Sequence, residues 1–144
     1  MQILKPIQYG STEYAATLAL RNKVMRIPLG LDIYKEDFSC EATSEIIGMF
    51  EEDTLLGVGV MSHSGSIYKI EYLCVDTVLQ SNGIGGVMLE HLVETARQAG
   101  AEKITLDARV KAQRFYERHG FTAMGEIFFM AIAPVEHIVM ERVL

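Results

Sequence analysis

The sequence predicts an α/β (α+β) fold: a mixed, mostly antiparallel central sheet of about six to seven strands flanked by about four helices. Three observations predict it. Apolar, β-branched runs follow one another between Glu45 and Val75 with no helical pattern between them, which reads as an antiparallel succession of strands. The last of these runs leads into a turn containing Gly83, Gly85 and Gly86, then a helical repeat, then another strand. Two further strand-like runs close the chain.

Each element has its own local reason. "MQILKPI" reads as a short edge strand closed by Pro6, which has no N–H to give to a ladder. "STEYAATLALRNKVMR" reads as a helix capped by Ser11 or Thr12, with Tyr14, Leu18, Arg21 and Met25 on nearby turns. "IPLGLDIYKEDF" is a loop with room for a short second helix. "EIIGMFEEDTLLGVGVMSH" holds two strands joined at Glu51–Thr54 as a hairpin, and "SIYKIEYLCV" is a third strand. From Ile84, the residues Met88, Leu92, Ala96 and Ala99 recur at helical spacing, with Glu90, Glu94 and Arg97 on other faces and Gly100 at the C-terminal cap. "KITLDA" is a strand. "VKAQRFYERH" is a short helix with Ala112, Phe115, Tyr116 and His119 on one side, stopped by Gly120. "FTAMGEIFFMA" and "EHIVMERVL" are the closing strands.

Composition bounds what such a fold can do. The 144 residues fit one domain, 1–144, with 49% hydrophobic and 22% charged residues. No apolar run approaches the roughly 20 residues that span a bilayer. The N-terminus lacks the order of a signal peptide, so no membrane association and a cytoplasmic location are expected. Cys40 and Cys74 form no CxxC or CxxH pattern, and His63, His91 and His119 fall in different elements, so no metal is expected. The net charge of −6 gives no basic face for nucleic acid. It tolerates a cationic substrate.

The glycine turn is where chemistry is expected. A helix start leaves about four N–H groups without intrahelical partners and carries about half a positive charge. Glycines let a phosphate approach those groups. "QSNGIGG" therefore reads as an anion cradle or, more plainly, as a tight turn with a helix cap. It is not a P-loop, because Val87 follows Gly86 where lysine is needed. It is a poor dinucleotide fingerprint, because Met88 stands at the third glycine position and the strands before it read as antiparallel.

Two blocks together resemble the GNAT superfamily of acyl-CoA-dependent N-acetyltransferases. The first is Gln80-Ser81-Asn82-Gly83-Ile84-Gly85 directly after "LCVD", which is similar to the family's Q/R-x-x-G-x-G/A signature. The second is Ala112 to Phe121, "AQRFYERHGF", and the closing "EHIVMERVL" looks like the family's final strand. Thr77 stands where the family often has proline, and Arg109 where it often has asparagine.

The resemblance implies a donor, acetyl-CoA, bound as co-substrate without metal, and an amine acceptor. It implies that Gln80, Ser81, Asn82, Gly83, Ile84, Gly85 and Gly86 bind the diphosphate of coenzyme A, chiefly through main-chain N–H groups. Leu73, Cys74 and Val75 would pair with the pantetheine arm, and Phe115 would pack beside it. Tyr116 would act as general acid at the sulfur; the bland reading of the same residue is core packing. An amine attacks only as the free base, so a proton acceptor is needed, and Glu71 inside an apolar strand is the candidate. Its alternative is a rim carboxylate paired with Lys69. The acidic balance admits a cationic acceptor such as a polyamine. A homodimer through the C-terminal strands is possible. The rival to catalysis is a sensor or interaction domain that binds acyl-CoA without turnover.

Overall fold

The fold, from a computed structural model, is described for residues 1–144 other than Ser81, Ile132 and Ala133. Its centre is a 7-stranded sheet in the order β1-β2-β3-β4-β5-β7-β6. The strands are β1 (Gln2–Pro6), β2 (Glu45–Glu51), β3 (Thr54–Ser64), β4 (Ile67–Val75), β5 (Lys103–Arg109), β6 (Thr122–Phe129) and β7 (Glu136–Val143). Every neighbouring pair is antiparallel except β4 and β5, which are parallel. The helices are α1 (Thr12–Met25), α2 (Ile84–Gln98) and α3 (Gln113–Arg118).

Local chemistry sets most of these boundaries. The Ser11 side chain accepts the Tyr14 N–H and starts α1. The β2–β3 hairpin turns at Glu52, whose φ of 55° is the left-handed conformation. Gly100 and Gly120, at φ 86° and 85°, follow α2 and α3 as left-handed stops. The segment after α1 folds as successive 3-10 turns, Ile27–Leu29, Ile33–Lys35 and Ser39–Thr43, rather than as a second α-helix. Pro28 and the left-handed Gly30 interrupt any longer helical run.

The sheet carries a core on each face. α1 packs Tyr14 and Leu20 with Ile46, Phe50, Val58, Val60 and Cys74. α2 buries Ile84, Met88, Leu89, Leu92, Val93 and Ala96 on the other face, with Ile70, Val75, Ile104 and Leu106. Alternation along a strand sends successive side chains to opposite faces. In β4 that alternation breaks: Ile70 belongs to the α2 core, yet Tyr72, two residues on, packs with the α1 core. The reason is a β-bulge. Val60 pairs with Tyr72 and Met61 with Ile70, so Glu71 has no residue opposite it on β3.

The same region opens the sheet. β4 pairs with β5 only from Ile67↔Lys103 to Ile70↔Leu106. Beyond that, β4 stays with β3 as far as Val75↔Gly57, while β5 stays with β7 as far as Arg109↔His137. Two strands that should be neighbours therefore diverge and leave a cleft in the middle of the sheet.

Candidate active site

A cavity of about 220 Å³ lies in that divergence. Leu73, Ala112 and Tyr116 line it from the α2 and α3 side, and Glu71, Tyr72 and Arg109 line it from the α1 side. It thus connects the two faces of the sheet. The edge of β4 from Glu71 to Val75 has lost its β5 partner there, so backbone N–H and C=O groups along it are available for an extended ligand.

The glycine turn sits at the end of this open edge. Asp76 accepts the Val78 N–H at 3.4 Å and is held by Lys23, whose Nζ lies 3.1 Å from each carboxylate oxygen. The Gln80 amide donates to the Val75 carbonyl at 3.2 Å, tying the loop to the strand end. Gly83 then caps α2 in the left-handed conformation, φ 79°, and the first helical bond runs from the Val87 N–H to the Gly83 carbonyl at 3.2 Å. The N–H groups of Ile84, Gly85 and Gly86 precede that bond and so have no intrahelical acceptor.

The three glycines serve different purposes. A Cβ on Gly83 would meet nothing within 4 Å, so the corner is open. A Cβ on Gly85 would sit 3.5 Å from Phe115 Cζ, and one on Gly86 would sit 3.2 Å from His119 Nε2. Those two let α3 close onto the start of α2. An open, left-handed helix cap beside unbonded amides and an unpaired strand edge fits a diphosphate joined to an extended amide chain, as in coenzyme A.

The remaining expected residues fall around this frame. Asn82 is exposed, and its N–H is already given to the Leu79 carbonyl at 3.0 Å, which leaves the donors to its neighbours. Ser81 lies outside the described residues. The Ile84 side chain is buried under α2. Val75 and Phe115 pack beside Gly85. Cys74 points the other way, into the α1 core, where burial pushes its thiol up to about 12, so it is no nucleophile.

Tyr116 is buried, packed edge-on against Phe115 and Phe121, and lines the cavity. Burial holds its phenol up at about 12, so the hydroxyl keeps its proton at neutral pH. The same residue thus belongs both to the core and to the cavity lining. Glu71, raised on the bulge, is more exposed than its apolar strand suggests. It accepts the Ser62 hydroxyl at 2.8 Å and lies 3.9 Å from Lys69 Nζ. Lys69 is closer to Asp107, at 3.2 Å.

The α1 side of the cavity holds groups that periodicity alone does not single out. Arg26 is bound by Glu36 at 2.7 and 3.1 Å and donates to the Tyr72 hydroxyl at 2.9 Å. Arg109 ends β5 opposite His137, and its Nη2 donates to the Met25 carbonyl at 3.2 Å. His137 is buried, with Nδ1 2.7 Å from the Val135 carbonyl. Among the described residues no His, Cys, Asp and Glu group is arranged to hold a metal, and no described helix is long and apolar enough to cross a membrane.

Known proteins share this fold. Residues 29–143 match the model of the acetyltransferase (GNAT) domain. The chain is 30% identical over 102 residues to the uncharacterized N-acetyltransferase YjcF of Bacillus subtilis (strain 168), covering 71% of this chain and 72% of that protein. The structure of an acyl-CoA N-acyltransferase from Pseudomonas aeruginosa superposes with a TM-score of 0.83 at 17% identity, over 99% of this chain and 100% of that one. A Bacillus subtilis acetyltransferase in complex with CoA superposes with a TM-score of 0.73 at 18% identity, over 100% and 99%. With the family model spanning the sheet's opening, the glycine turn and the closing strands alike, the chain belongs to the GNAT acetyltransferase family.

Proposed function

We propose that the chain transfers an acetyl group from acetyl-CoA to a primary amine of a small molecule or peptide by direct attack. One observation carries this reading: the unpaired edge of β4 runs from the glycine turn into a cavity that Tyr116 also lines. The CoA-bound Bacillus subtilis acetyltransferase of similar fold supports the choice of donor. When bound, acetyl-CoA supplies the activated acetyl group; the protein's work is placement and proton handling.

The amides at the start of α2 hold the diphosphate, and the Leu73–Val75 backbone orients the pantetheine chain through strand-like pairing. A main-chain N–H of that edge faces the thioester oxygen and stabilises the negative charge that grows there. A free amine is needed, and an ordinary alkylammonium has a pKa of about 10.4, so a proton must leave at the site. Glu71 takes it, directly or through water, held in place by Ser62. Tyr116, protonated up to about pH 12, donates to the departing thiolate.

Tyr116→Phe keeps the buried ring and deletes the hydroxyl. Turnover should fall by about 10²-fold or more while the calorimetric Kd for CoA stays within about twofold. Parallel loss of both would make Tyr116 a packing residue and remove it from the chemistry.

A further inference from the structure

The charges lining the cavity are not evenly matched. Arg26 is neutralised by Glu36, and Lys69 by Asp107. Arg109 has no carboxylate partner among the described residues. Its Nε is buried without any hydrogen-bond acceptor, and its only described bond is the one to the Met25 carbonyl. A half-buried guanidinium in this condition pays for desolvation without the ion pair that normally accompanies it. Burial first, and the like charge of Arg26 second, press its pKa downward. An incoming anion would offset both by pairing the charge.

The position of Arg109 says what that anion belongs to. Along β5, Ile104, Leu106 and Ala108 face the α2 core, so Asp107 and Arg109 face the α1 side with Lys69 and Glu71. That is the face opposite Tyr116's core and away from the α2 cap. Glu71 is the other cavity charge without a close ion-pair partner, its lysine lying at 3.9 Å. A carboxylate only loosely paired with its lysine and a guanidinium without a carboxylate partner, on the same wall, match a molecule that is itself both cation and anion.

We propose that Arg109 is an oxyanion receptor in the acceptor chamber, so that the chain acetylates amines that also carry a carboxylate or a phosphate. This rests on the transferase reading given above, with Glu71 on the amine. The whole-chain charge of −6 admits a polyamine, but the chamber's own charges do not select one. A planar guanidinium binds either oxyanion through paired N–H donors, and lysine would do so only as a point charge.

The test is acceptor kinetics on the full chain with acetyl-CoA, following thiol release. The panel pairs common α-amino acids with their α-carboxamides, phosphoethanolamine with ethanolamine, and adds spermidine. At least one oxyanion-bearing amine should exceed its neutral partner by about tenfold or more in kcat/KM. The carboxylate and phosphate arms tell which oxyanion is read. Arg109→Gln should reduce that ratio to about threefold or less by raising the acceptor KM, with the acetyl-CoA KM little changed; Arg109→Lys should keep part of the preference. Equal or better use of the neutral amines or spermidine, or no use of any oxyanion-bearing amine, overturns the proposal. So does a rise of the acetyl-CoA KM in step with the acceptor's, which would place Arg109 at the donor. Failure of the native chain to bind CoA by calorimetry would instead sink the transferase reading beneath it.

Discussion

Arg21 heads the fully buried side chains by volume, and a buried guanidinium is costly unless its charge is paired; its Nε alone has no hydrogen-bond acceptor among the described residues. Glu41 answers it with bonds of 2.9 Å to both Nη atoms, while the Tyr14 hydroxyl donates to the same carboxylate at 2.7 Å. Phe38 and Tyr72 rings lie 5.1 and 4.7 Å from the guanidinium carbon. This cluster pins the 3-10 turns after α1 against the helix and so fixes the α1 wall of the cavity. Glu41→Ala should cost about 3–5 kcal/mol, because it leaves Arg21 buried and uncompensated, whereas Arg21→Met with Glu41→Leu should cost far less. Urea midpoints check both; a Glu41→Ala midpoint at the wild-type value would mean that Arg21 finds water. The helical spacing of Tyr14 and Arg21 is readable in the sequence, but their partner is not. Glu41 stands in a polar stretch with no periodicity, and only the tertiary fold brings it to α1.

Two element-level features make the site. The bulge at Glu71 reverses the alternation of β4 just where that strand parts from β5. Strand identity was legible there because "SIYKIEYLCV" is rich in aromatic and β-branched residues. The bulge was not, since an added residue leaves no local compositional mark. For that reason Glu71 in the sequence reads as a carboxylate inside an apolar strand, while in the fold its side chain is 37% exposed and meets Ser62 at the cavity rim. The glycine turn is the reverse case. Its residues announced a strand–turn–helix junction, and Gly83 does adopt φ 79° at the cap of α2. Gly83→Val forces a β-branched residue into that conformation and should cost about 1–2 kcal/mol of stability while weakening CoA binding. Unchanged stability by urea titration would show that the turn does not depend on the left-handed geometry.

At the scale of the molecule, the order of elements was legible because each strand run and each cap carries its own local signal, from the Glu52 turn to Gly100 and Gly120. The cleft was not, because it is a property of how far β4 and β5 stay paired. Nor was the isolation of Arg109, which depends on which carboxylates Arg26 and Lys69 have already taken. The two-faced core also sets a pH limit. Burial raises Cys74 from 9.0 and Tyr116 from 10.0, each to about 12, and raises Tyr14 as well. The folded state therefore keeps protons that the unfolded chain gives up. This contribution is intact below about pH 9 and is lost as pH climbs from 9 to 12. Stability at pH 11 should be lower than at pH 8 by on the order of 3 kcal/mol, read from urea midpoints. A midpoint flat to pH 11 would mean these groups are hydrated in the folded chain.

The proposed transfer requires a diphosphate at the start of α2 and an amide chain along β4. Calorimetric titration of the chain with CoA, pantetheine and ATP tests that division most directly. CoA should bind; pantetheine, which lacks the diphosphate, and ATP, which lacks the amide chain, should each bind at least about tenfold more weakly. Pantetheine or ATP binding as tightly as CoA would contradict it.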